Sequence, residues 1–168
     1  MSTLDIASIE TADIGSLKTA AIGALSTNQA KALTTDQMVA LGSAQIGSLT
    51  SAQVAAMSSG QIAAIETNDI GALKTAAIAA MTTNQVNALS TDQFQQLGTA
   101  QIAAMTTANL ASGLTTDQIV AMSSAQFGAL SSNQFGALST TDIAAIETAD
   151  IVGLKTSIIA SLKTAQLA

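Results

Sequence analysis

Large apolar residues return at two fixed places in an eight-residue unit, x-Q-I-x-A-L-x-T, which Ala52 to Thr67 (AQVAAMSSGQIAAIET) repeats twice end to end. Position 3 is Ile6, Ile14, Ile22, Ala30, Met38, Ile46, Val54, Ile62, Ile70, Ile78, Val86, Phe94 and Ile102, and position 6 runs from Ile9 and Leu17 to Leu97 and Met105. These two columns are the expected core. The octads run in one register from Leu4 to Thr107. The unit Ala108 to Thr116, ANLASGLTT, has nine residues and includes Gly113; the octads resume at Asp117 and place Ile119, Phe127, Phe135, Ile143, Ile151 and Ile159 at position 3.

A continuous helix advances about 100° per residue, so an eight-residue period turns the apolar pair by roughly 80° at each repeat. The stripe would wind round the helix within a few units, and neither the 3.5 nor the 3.67 period of a coiled coil fits. Positions 3 and 6 also miss the strict alternation of a strand. The helix must therefore break in every unit. Position 8 is Ser or Thr in each of the twenty complete units from Thr11 to Thr164, and such side chains accept backbone N–H groups at a helix N-cap. The pattern predicts a short helix at positions 1 to 6, a turn at 7 and 8 and the cap at 8. A second frame puts the cap at position 7, as in LTTDQM, with Gln at N3 completing a capping box; Glu, Lys and Gly also occur at position 7, which favours the first frame.

Helices this short are unstable alone, so packing between units must hold them, and the small residues at positions 4 and 5 suit close approach. Six helical residues advance about 9 Å and two more cannot bring the chain back, so a superhelical coil needs at least two octads. The expected fold is all-α, a solenoid of very short helices over residues 1–168, one repeat array with a nine-residue unit at 108–116. The alternative is a two-sided β-solenoid, with Ile and Thr in strands and Gln ladders such as Gln29, Gln37, Gln45, Gln53 and Gln61; the Ala, Leu, Met and Gln content favours helix. A longer repeat lies over the octads: IETADIGSLKTAAIGAL from Ile9, IETNDIGALKTAAIAAM from Ile65 and IETADIVGLKTSIIASL from Ile146 stand 56 and then 81 residues apart. Segmental duplication explains this spacing.

Composition narrows the function classes. The chain has 11 acidic residues against 5 lysines, a net charge of −6, which is the wrong electrostatic footprint for nucleic acid. Charged residues are 10% and hydrophobic residues 48%, which argues for folding rather than disorder. Neither Cys nor His is present, so there are no thiols or imidazoles for soft-metal sites or near-neutral titration. Asp5 with Asp13, and Asp142 with Asp150, lack the dense oxygen-rich loop that calcium needs and read as first-turn helix acids. No Ser or Thr has a base to activate it as a nucleophile. Phe94, Phe127, Phe135 and the methionines Met38, Met57, Met81, Met105 and Met122 fall in the core columns; Lys31 and Lys163 read as solvated surface charges. Glu10 with Lys18, Glu66 with Lys74 and Glu147 with Lys155 are expected on neighbouring corners. No apolar run approaches the roughly 18 residues of a membrane span, and the acidic start lacks the basic region of a secretory leader.

At these octads the chain resembles the octapeptide-repeat regions, of the TAQIAAL type, found in some large bacterial surface or secreted proteins. LTTDQM and LTTDQI are also similar to LTPEQV, which opens the helix of the TAL-effector DNA-binding repeat, but that likeness ends after six residues and the base-reading segment is missing. The resemblance implies an extracellular or cell-surface setting. The expected role is a structural or interaction module, a stalk, spacer or scaffold, with no catalytic, cofactor or metal site. Alternatives are a module binding a repetitive target such as glycan, ice or a cell envelope, or a self-assembling filament subunit. Ile158, at the usually polar position 2, fits either a covered or an open end.

Overall fold

A computed structural model describes residues 2–167 and resolves the octads into short α-helices of four to six residues, beginning with Thr3–Ala7 and ending with Thr164–Leu167. The chain is all-α, and the β-solenoid alternative is set aside: no strand occurs among the described residues.

The helix frame differs from the first expectation. Each regular helix starts at position 8 and ends at position 4 or 5, and the N-cap is position 7. In the unit Thr83–Asn87, Thr82 is the cap, extended at φ −75° and ψ 161°. Its hydroxyl accepts the Gln85 N–H at 3.3 Å, while Gln85 Oε1 accepts the Thr82 N–H at 2.8 Å. Gln decides the frame, because only a cap at position 7 puts it at N3, where both halves of a capping box close. At Gly42 and Gly98 the Gln half alone forms, to the backbone N–H. Glu66 and Lys74 cap through the backbone, without a side-chain bond. Position 6 then leaves the helix in an extended conformation, as at Met57 (φ −66°, ψ 153°). No described residue takes a positive φ, so the chain turns at every unit without needing glycine. The expected stability effects follow: Thr82→Ala should cost about 1 kcal/mol, and Thr83→Ala or Thr91→Ala, at position 8, a few tenths, as urea titration of the two classes of variant will show.

The helices wind into a solenoid. The helix Thr75–Ala79 packs between Ser51–Ala56 and Thr99–Ala104, the third helices before and after it, and the same spacing recurs along the array. Inter-coil contacts span 25 residues, where the Cα of Gly71 comes against the Gln96 carbonyl, and 28 and 31 residues, where Gln85 reaches back to Met57 and Val54. One coil therefore takes about 28 residues, or three and a half octads, above the minimum of two. The half octad staggers each coil against the next, so a helix rests between two helices of the coil below. Small residues at position 4 allow the approach: a Cβ added to Gly128 would stand 2.6 Å from the Gly153 carbonyl oxygen.

The core is one column of buried position-3 and position-6 side chains, including Met38, Ile62, Ile78, Phe94, Phe127 and Phe135. The aromatic residues and the five methionines named from sequence all lie in it. Its polarity along the axis is visible at the ends. In the first coil position 3 is buried (Ile6, Ile14, Ile22) and position 2 exposed (Asp5, Asp13, Ala21); in the last coil Asp142 and Ile158 at position 2 are buried while Ile151 and Ile159 at position 3 are about half exposed. Position 2 thus faces the coil before and position 3 the coil after.

Candidate functional site

The position-2 glutamine is the recurring polar centre. It sits at N3 of its helix, facing the preceding coil, and is buried from Gln37 to Gln134 wherever it occurs. Its three hydrogen-bonding atoms are used in two directions. Oε1 closes the capping box of its own helix, and Nε2 donates to carbonyls of the coil before. Gln85 Nε2 lies 2.7 Å from the Val54 oxygen and 2.8 Å from that of Met57; Gln37 reaches Ile6 and Ile9, Gln45 reaches Ile14 and Leu17, and Gln118 reaches Val86 and Leu89. These acceptors are the carbonyls at positions 3 and 6, at the end of a helix where intrahelical donors run out. One side chain therefore caps the start of its own helix and the end of another. No buried side-chain nitrogen or oxygen among the described residues lacks a partner.

The exceptions form two groups. In the nine-residue unit, Asn109 replaces Gln; its shorter amide reaches the Met81 carbonyl at 3.2 Å. The extra residue lengthens that helix to Thr107–Ser112, and Gly113 closes it with its N–H on the Asn109 carbonyl; a Cβ on Gly113 would stand 2.6 Å from that oxygen. Four units later, above this altered corner, position 2 is Asp142. It accepts from the Ser139 N–H and hydroxyl and, as a carboxylate, has no proton for the coil below. The second group is the duplicated Glu-Lys segment. Behind the charged caps Glu66 and Lys74, position 2 is Asp69 and Ala77, and behind Glu147 and Lys155 it is Asp150 and Ile158. The two aspartates are linked to the previous coil in the reverse sense, accepting from Ser43 and Ser124 hydroxyls, the latter at 2.7 Å.

The carboxylates considered from sequence are thus dispersed among separate helix starts. Asp5 is exposed, and its carboxyl is held below the ordinary value by the Ser2 N–H and, second, the Ser2 hydroxyl. Glu66 and Lys74 cap successive helices and are exposed on neighbouring corners. Lys31 is exposed. Lys163 is exposed too, but its Nζ donates to the Gly136 carbonyl at 2.9 Å, one more link between coils and not a purely solvated charge. No helix is long and apolar enough to cross a membrane.

A side chain that ties each short helix to the coil beneath, repeated at unit after unit, defines an α-solenoid repeat protein. The chain belongs to the ALTTAQ repeat family, whose model matches residues 6–43, 38–64, 62–99 and 112–140. Comparison with curated protein sequences gave no match. The glutamine column was visible in the sequence as a polar position; its partners, 28 and 31 residues away, were not.

Proposed function

We propose that the chain works as a structural or interaction module, a stalk, spacer or scaffold, in a bacterial surface or secreted protein, without catalysis. The observation that carries this reading is the uniformity of the Gln-to-carbonyl link from Gln37 to Gln134: the buried polar chemistry of the array is used in holding coils together. The setting outside the cell rests on the resemblance to octapeptide-repeat regions. A target with a flat regular lattice, such as ice, suits this fold less, because three and a half octads per coil put no octad directly above another.

A spacer should be shortened without being unfolded. Deleting residues 10–65 joins Ile9 to Glu66 across matching sequence and removes seven octads, two coils, so with helices stacked 8–10 Å apart the module should shorten by roughly 20 Å. Small-angle scattering or the distance between end-attached spin labels measures this. Retention of a helical spectrum with that shortening supports the reading. A shortened chain that loses its fold, or keeps its original length, overturns it.

A further inference from the structure

The C-terminal end of the solenoid is an inter-coil interface with one side missing. Ile143, Ile146, Ile151, Leu154 and Ile159 line a groove of about 450 Å³ over Phe135. Ile151 and Ile159, at position 3, are 46% and 50% exposed, whereas position 3 is buried throughout the interior. Fitted over equivalent columns in the interior is always the position-2 face of a following coil.

That complementary face is present at the other end of the same molecule. The first coil, IASIETADIGSLKTAAIGAL from Ile6, matches the interior coil IAAIETNDIGALKTAAIAAM from Ile62, with Asp13 and Ala21 standing where the interior has Asp69 and Ala77. The interior coil is seated: Ala77 is 0% exposed and Asp69 accepts the Ser43 hydroxyl of the coil below. Ala21 and Asp13, with the same neighbours in sequence, are exposed. We infer that the N-terminal face of one copy docks on the C-terminal groove of a second copy, so that chains associate head to tail and continue the superhelix. The contact is heterologous, one face against a different face, as between coils within the chain, and such contacts propagate rather than close when the rotation does not return on itself. Asp13 then takes a hydroxyl from a position-8 threonine of the partner's last coil, as Asp69 does from Ser43. The inference rests on the structural-module reading and names its partner; that reading is judged on the folding and length of a single chain, and so stands or falls separately.

The experiment uses the intact chain and two end variants, with circular dichroism as the check on folding. Ala21→Glu alters an exposed first-turn position of the N-terminal face, where an acid suits the helix start, and Ile151→Glu places a charge in the C-terminal groove; Ile159→Gln is the milder second variant should Ile151→Glu unravel the last coil. By sedimentation or light scattering, the mass of the unaltered chain should rise with concentration beyond that of a dimer. Each variant alone should remain monomeric, and a mixture of the two should stop at a dimer containing one of each, since one sound N-terminal and one sound C-terminal face remain. An unaltered chain that stays monomeric at every concentration overturns the inference. So does an Ala21→Glu protein that still dimerises, which would show C-terminal grooves pairing with each other, or a mixture that forms no dimer.

Discussion

Replacing Gln85 with Leu should destabilise the array by roughly 2 to 5 kcal/mol, and Gln85→Glu by more. The side chain is 1% exposed and satisfies three backbone groups, the Thr82 N–H and the Val54 and Met57 carbonyls. Leu fills the volume but leaves these groups without partners in a site water does not reach, at about 1–3 kcal/mol for each buried group. Glu keeps the bond to Thr82, as Asp142 keeps its bond to Ser139, but turns an acceptor and a negative charge toward two carbonyl oxygens. It must then either stay charged without a donor partner or take up a proton. Asn84→Ala, one residue earlier on the exposed side, should change stability by no more than about 0.5 kcal/mol. Urea midpoints for the three variants test the ordering. Near-equal midpoints for Gln85→Leu and Asn84→Ala would mean that the inter-coil amide contributes nothing.

The second large effect concerns register. Removing Ala52 to Ala55 places Met57 where the amide belongs, Ser58 at position 3 and Gln61 at position 6, so two polar side chains enter the core columns and a coil loses its link to the one before. Cooperative folding should be lost around the junction. Removing Ala52 to Ser59 instead joins Ser51 to Gly60, leaves Gln61 and Ile62 at positions 2 and 3, and should keep a cooperative transition. In an array stabilised by neighbour contacts the loss of one unit in register is small and the loss of register is not. Thermal melts and hydrogen exchange separate the outcomes; similar behaviour of the two deletions would contradict the column model.

What could be read from the sequence was what repeats within eight residues. Columns 3 and 6 identified the core down to Phe94 and Met38, and the failure of the octad to fit a continuous helix or a strand required a break in each unit. The position of the cap was ambiguous because two hydroxyl positions, 7 and 8, are adjacent in LTTDQM and LSTDQF. Counting three residues back from Gln favours position 7, whereas the Glu and Lys at that position in the duplicated segments pointed to 8. Those same segments lack Gln at position 2, so both halves of the capping box disappear together, and this pairing was the available signal. The size of a coil is a property of contacts between residues about 28 apart. It had left one trace, since the spacing between the strings at Ile9 and Ile65 is twice that number. Asp142 could not be understood without it: its lack of a donor makes sense only above Asn109 and Gly113.

A coil that is not a whole number of octads ties length to direction. Each octad inserted into the array turns everything beyond it by about 100° around the axis while raising it by less than one helix diameter, so growth by single units reorients whatever the array carries at its far end. Seven octads are the smallest addition that brings the azimuth back, and Glu10 and Glu66, seven octads apart, accordingly point the same way. The ninth residue of the unit at 108–116 widens the local repeat to 29 and 32 residues, as the reach of Gln118 and Gln126 records, and it advances the phase by about 13°. An inserted residue at a helix end is therefore a fine adjustment of bearing, and the number of octads a coarse one.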